Sequence, residues 1–99
     1  MLNITKNTNA SELTVSLTGR LDTTTAPELE KELKASLDGV TTLVIDMSAL
    51  DYISSAGLRV LLSAQKTMNK QGEMKVVHVG ETIMEIFEVT GFSDILIIE

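Results

Sequence analysis

Between Leu43 and Gly72 the chain changes periodicity once, and a pair of adjacent serines marks the change. Leu43-Val44-Ile45-Asp46 is a short apolar burst of the kind a buried strand shows. Leu58, Leu61, Leu62 and Met68 then fall near helical spacing, and Gly72 closes that run. The junction reads Asp51-Tyr52-Ile53-Ser54-Ser55-Ala56-Gly57-Leu58 and sets both hydroxyls at a helix N-terminus. Orphan backbone N–H groups and the positive end of the helix dipole converge there and favour negative charge. Three readings suit that geometry: an N-cap, a phosphate-binding corner, or a serine that becomes phosphorylated. A plain N-cap at Ser54 or Ser55 is the simplest, because serine is strongly favoured at such positions.

The flanking segments extend the same alternation. Residues 2–6 and 12–18 read as two strands; in Leu13-Thr14-Val15-Ser16-Leu17-Thr18 apolar and hydroxyl residues alternate strictly, as one buried sheet face requires. Polar Asn7 to Ser11 predicts a hairpin between them, and Gly19 is expected to end the second strand. A polar loop over 20–25 leads to a helix with Leu29, Leu33 and Leu37 on its buried stripe and Glu30 and Lys34 paired at i,i+4 outside. Thr25 and Glu28 have capping-box spacing, whereas Pro27 as first helical residue would make Ala26 the cap; both registers stay open. Asp38-Gly39 ends this helix.

A strand at 42–46, the serine corner and a helix over about 56–71 follow. Next come a strand at 74–79, a helix opened by Gly80-Glu81 with Ile83, Ile86, Phe87 and Val89 as its apolar residues, a stop at Gly91, and a strand at 95–98. The order ββαβαβαβ predicts an α/β sandwich with a mixed four- to five-stranded sheet and helices mainly on one face. The strands at 42–46, 74–79 and 95–98 should run parallel, with the more polar first strand at an edge. Loops at the C-terminal ends of parallel strands are where such folds place function. Asp22 and the Ser54/Ser55 corner both follow strands, so they are expected side by side.

Composition removes several function classes. Ninety-nine residues suit one domain, 1–99, with a single core. The absence of cysteine excludes a thiolate nucleophile and sulfur-ligated zinc. A formal net charge of −6 argues against nucleic acid, which needs clustered Lys and Arg. The few aromatics, Tyr52, Phe87 and Phe92, offer no platform for stacked bases. No stretch reads as a signal or membrane-spanning segment, so no membrane role and a cytoplasmic address are expected.

Several motifs together resemble the STAS domain, in particular the small bacterial anti-sigma factor antagonists. These are Leu17-Thr18-Gly19-Arg20-Leu21-Asp22, Leu43-Val44-Ile45-Asp46, Tyr52-Ile53-Ser54-Ser55-Ala56-Gly57-Leu58, Gln71-Gly72-Glu73 and Phe87-Glu88-Val89-Thr90-Gly91-Phe92. The resemblance implies an antagonist that binds a kinase-fold anti-sigma factor and thereby regulates transcription indirectly. Phosphorylation of one serine by that partner ends the binding, and a phosphatase restores it. The family pattern Asp-Ser-Ser/Thr-Gly-Leu, aligned on Gly57-Leu58, puts the phosphorylated serine at Ser55. Its aspartate falls on Ser54 and its second hydroxyl residue on Ala56, so Ser54 lacks the carboxylate and is a rival acceptor. Asp22 resembles the acidic residue that helps position partner and acceptor; its plainer reading is a turn aspartate.

The surface expected to meet the partner joins Asp22, Ser54, Ser55 and Gly57 to Arg59, Ser63 and Lys66, whose spacing shares one helix face opposite Leu58, Leu61 and Leu62. A phosphoryl group there adds close to two negative charges, which the helix terminus tolerates and an acidic partner surface does not. Gly57, lacking bulk, is read as the point where a nucleotide phosphate or a kinase loop approaches. Asp46 is expected to cap a turn. His78, the only histidine, lies in a predicted strand without a nucleophile elbow, so neither a Ser-His-Asp triad nor other catalysis is expected. One His and scattered carboxylates leave no metal site, no phosphate loop implies a cofactor, and the five methionines read as core filler. The second function class is a STAS subunit of a transporter or lipid-transport complex, or a small-ligand sensor without a phospho-switch.

Overall fold

A computed structural model describes residues 2–99. Its order is β1 (Leu2–Asn9), β2 (Glu12–Leu21), α1 (Ala26–Ser36), β3 (Thr42–Ile53), α2 (Ser55–Gln71), β4 (Glu73–Val77), α3 (Glu81–Thr90), a 3-10 turn (Phe92–Asp94) and β5 (Ile97–Ile98). The five strands form one sheet in the order β1-β2-β3-β4-β5. β1 is the antiparallel edge, and the other three pairings are parallel. Each parallel crossover moves one strand along in the same direction, so right-handed connections put the helices on one face. That face carries the buried Leu13, Val15, Leu17, Leu43, Ile45, Met47, Met74 and Val76. Thr14, Ser16, Val44, Asp46, Lys75 and Val77 on the opposite face are only partly covered. The result is a two-layer α/β sandwich with the mixed sheet that the sequence predicts.

Several element bounds move, each for a local reason. The first hairpin keeps strand pairing to Asn9↔Glu12 and turns on Ala10-Ser11 alone, with Ala10 at φ 55°. A two-residue hairpin turn needs positive φ, normally signalled by Asn-Gly or Asp-Gly. β2 runs past Gly19, whose φ of +104° serves a bulge rather than a strand end.

The largest difference lies in β3, which extends to Ile53 instead of stopping at Asp46. Ser16 pairs with Asp46 but Thr18 with Ala49; Gly19 pairs with Leu50 but Arg20 with Tyr52. Each shift inserts one extra residue into β3, so its inward positions become Met47, Leu50 and Ile53, spaced by three. Alternation by two is lost although the strand continues.

α1 is preceded by Thr25 as its cap residue, with Ala26 and Pro27 as the first two helical positions and no side-chain cap bond. The hydroxyl of Thr25 instead donates to the Arg20 carbonyl at 2.8 Å. β4 ends at Val77, and His78 lies beyond it in a left-handed conformation at φ 57° rather than inside a strand. The final strand shrinks to two residues because Phe92–Asp94 forms the 3-10 turn. Val89, read as part of the apolar stripe of α3, is 87% exposed, while Ile83 and Phe87 bury that helix.

Candidate functional site

The serine corner begins where two strands end in step. Leu21 and Ile53 are the last register pair of β2 and β3, and the Ser54 N–H donates to the Leu21 carbonyl at 2.9 Å. Asp22 and Ser54 therefore leave the sheet side by side, as the sequence predicts. α2 can start there only because residue 57 has no side chain. A Cβ on Gly57 would lie 2.7 Å from Leu21 Cγ and 2.9 Å from Ile53 Cγ1. Gly57 is buried, so its assignment to the partner-binding set is corrected: its small size seats the first helical turn on the strands and opens no path to a partner.

The two serines divide the available tasks. Ser54 has extended backbone angles, φ −99° and ψ 175°, and is the N-cap of α2; its Oγ accepts a long hydrogen bond from the Gly57 N–H at 3.4 Å. Ser55 is the first helical residue and is exposed, and its hydroxyl has no hydrogen-bond partner among the described residues. Ala56, standing where the family pattern carries a hydroxyl, packs half-buried against the core. Capping thus falls to Ser54 and leaves Ser55 free.

Asp22 is first of all a turn residue. Its Oδ1 accepts from the Thr24 hydroxyl at 2.7 Å, the Thr24 N–H at 3.0 Å, and the Thr25 N–H at 3.1 Å. These bonds, the Thr24 hydroxyl foremost, push the carboxyl down to about 2. The other oxygen, Oδ2, turns to Arg20 Nε at 3.7 Å. The Arg20 guanidinium in turn sits 4.3 Å from the centroid of the Tyr52 ring. Arg20 and Tyr52 are missing from the sequence-predicted site, yet they are register partners beside the serines. Tyr52, the only exposed aromatic, could have suggested them; the pairing itself depends on the bulges.

Asp46 lies outside this corner. Its Oδ1 accepts from the Ser48 N–H at 2.9 Å inside β3, which is the main reason its carboxyl is held below the ordinary value. The expected turn-capping role becomes a bulge-bracing one. His78 Nδ1 approaches the same oxygen at 3.3 Å, so the histidine is partnered with Asp46 and not with either serine. Among the described residues no group of three or more His, Asp or Glu is placed to hold a metal, and no helix is long and apolar enough to cross a membrane.

Along α2, Arg59, Ser63 and Lys66 are all exposed, as predicted. Leu62 departs from expectation. It is half-buried, and at three residues past Arg59 and four before Lys66 it shares their stripe instead of opposing it. Ser63 also borders a groove of about 290 Å³ between α1 and α2, whose apolar lining includes Leu33, Val60 and Ala64. The assembled surface is hence an exposed serine beside a fixed carboxylate, an arginine-covered tyrosine, and a helix face of cations with one leucine.

Comparison with known proteins identifies the family and matches the fold. The model of the STAS domain family matches residues 2–99, and the chain belongs to that family. It is 42% identical over 81 residues to BtrV of Bordetella bronchiseptica, named there as a candidate anti-sigma factor antagonist; the match covers 80% of this chain and 70% of the relative. The anti-sigma-B factor antagonist of Bacillus subtilis is 29% identical over 96 residues, which cover 96% of this chain and 88% of that protein. The crystal structure of an anti-sigma factor antagonist from Mycobacterium paratuberculosis superposes with a TM-score of 0.89 at 27% identity, covering 99% of this chain and 85% of that one.

Proposed function

We propose that this STAS-domain chain is an anti-sigma factor antagonist that acts by binding, without chemistry of its own, and is switched off by phosphorylation of Ser55. Its partner is a kinase-fold anti-sigma factor. While Ser55 is unmodified the antagonist occupies that partner, and the sigma factor is free. Transfer of a phosphoryl group from ATP to Ser55 Oγ ends the complex, and a phosphatase that removes it restores binding. These exchanges belong to the cytoplasm, where sigma factors work.

One observation carries the reading: the corner holds two serines, and only Ser54 is occupied by the fold. Ser55 stands exposed at the first position of α2, so it can enter a kinase active site without uncapping the helix. A dianion at that position meets the positive end of the α2 dipole, and the fold should persist in the modified state. The anti-sigma factor antagonists among its relatives support the partner class.

The surface uniting exposed Ser55, Arg59, Ser63 and Lys66 with the half-buried Asp22 supplies the contact area. Asp22 contributes a fixed negative charge at its edge, because its turn bonds keep it ionised. Phosphopeptide mapping after incubation with ATP and the kinase-fold regulator from the same genome tests the assignment. The modification is expected on Ser55; a phosphoryl group on Ser54, or none, contradicts it. A chain that the regulator neither binds nor modifies would point to a STAS subunit of another assembly.

A further inference from the structure

Helix α2 breaks the charge pattern of the chain. The protein carries 14 Asp and Glu against 8 Lys and Arg. None of the acids lies on α2, whereas Arg59, Lys66 and Lys70 do. All three are exposed. Lys6, Arg20, Lys34 and Lys75 each stand beside a carboxylate, whereas among the described residues Lys31 on α1 and all three α2 cations do not. Lys70 meets the negative end of the α2 dipole, but Arg59, far from that end, gains no such partner within the chain and complements an acidic surface brought from outside.

Arg59 lies one turn beyond Ser55 on this stripe. Side chains at i and i+4 have Cβ atoms about 5–6 Å apart, within reach of a guanidinium and a phosphoserine. The arginine fork matches a phosphate with two parallel hydrogen bonds. Arg20, the other arginine near the corner, is already committed to the Tyr52 ring and Asp22. Lys66, seven residues on, is displaced about 10 Å along the helix axis.

We infer that Arg59 is the cation shared by the two states of the switch: it holds an acidic group of the partner while Ser55 is unmodified, and it holds the phosphoryl group once Ser55 carries one. The inference rests on the reading of Ser55 as acceptor. Release then has two causes acting together. The new charge repels the partner's acidic surface, and the modification also occupies the residue that met it.

Phosphoserine installed at position 55 during translation tests this without any kinase. Phosphorus NMR follows the second ionisation of the phosphate, ordinarily near pH 6. A guanidinium that holds the dianion lowers that midpoint. Wild type should therefore titrate about 0.2–0.4 pH unit below Arg59→Gln, the shift expected of an exposed i,i+4 pair. Arg59→Lys should fall between them, and Arg20→Gln should match wild type. In the unmodified protein, Arg59→Gln should bind the regulator about tenfold more weakly. Equal midpoints in wild type and Arg59→Gln overturn the inference, as does undiminished binding by unmodified Arg59→Gln. A kinase that leaves Ser55 unmodified overturns the functional reading instead, because the titration uses an installed phosphoserine.

Discussion

Ser54 donates its backbone N–H to the Leu21 carbonyl at 2.9 Å, and this bond ties the start of α2 to the end of β2. It continues the β2–β3 ladder one step beyond Leu21↔Ile53, so the Asp22 turn and the serine corner share one rigid base. The acceptor proposed here is presented by paired strands on one side and a capped helix on the other. Such a base leaves a phosphoryl group little freedom to move away from an approaching partner.

The division between the serines predicts unequal stability effects. Ser54→Ala removes the N-cap acceptor and should cost ~0.5–1 kcal/mol, low in the range for capping because the bond is long at 3.4 Å. Ser55→Ala should stay within ~0.5 kcal/mol of wild type, as expected for an exposed hydroxyl without a partner. Urea denaturation of the two variants checks the order; a larger loss for Ser55→Ala would mean that Ser55 is the cap.

Gly57→Ala places a methyl group in contact with Leu21 and Ile53 at well below van der Waals distance. Overpacking at this junction should cost ~1–3 kcal/mol in thermal unfolding. Binding should weaken as well, because the first turn of α2 must shift. A Gly57→Ala variant as stable as wild type would show that the corner is not tightly seated.

Asp22 predicts a pH dependence with a definite sign. Its carboxyl falls from 3.8 to about 2 on folding, so the folded state favours the ionised form. The stabilisation is present above 3.8 and is lost as pH falls through about 2. Asp22→Asn should therefore flatten the acid limb of the stability curve across that window while leaving its slope above about pH 5 unchanged. Acid titration followed by circular dichroism checks it.

Ala10→Gly should raise stability by ~1 kcal/mol, because Ala10 occupies a left-handed conformation that costs an L side chain about that much. A loss in chemical denaturation would mean that the Ala10 methyl is needed in the turn.

The element order, the parallel strands, the edge position of β1 and the meeting of Asp22 with the serines were all legible in the sequence. Each follows from signals carried by single segments: strict alternation in β2, the Leu29-Leu33-Leu37 stripe, the glycine stops. The second half of β3 was hidden because two bulges change its inward spacing from two to three, and no local residue marks an inserted position. Arg20 and Tyr52 became visible only once those bulges were counted, since they set the register. His78 fell outside its predicted strand because an apolar run shows where a strand can lie but not where the chain turns left-handed. Gly57 illustrates the converse. Its smallness was evident, but only packing could show that the space it leaves is filled by Leu21 and Ile53.

Charge reversal at Arg59 separates surface from scaffold. Arg59→Glu should weaken binding to the regulator about tenfold or more while the melting temperature stays nearly constant, since the side chain is exposed and, among the described residues, unpaired. A collapse of stability with binding intact would make Arg59 structural.

The central claim is tested most directly by measuring the affinity of the chain for its kinase-fold anti-sigma factor before and after stoichiometric phosphorylation of Ser55. Phosphorylation is expected to remove ~2–4 kcal/mol of binding, roughly a 30- to 800-fold rise in Kd, with the circular-dichroism spectrum unchanged. Equal affinity for the two forms would contradict the account.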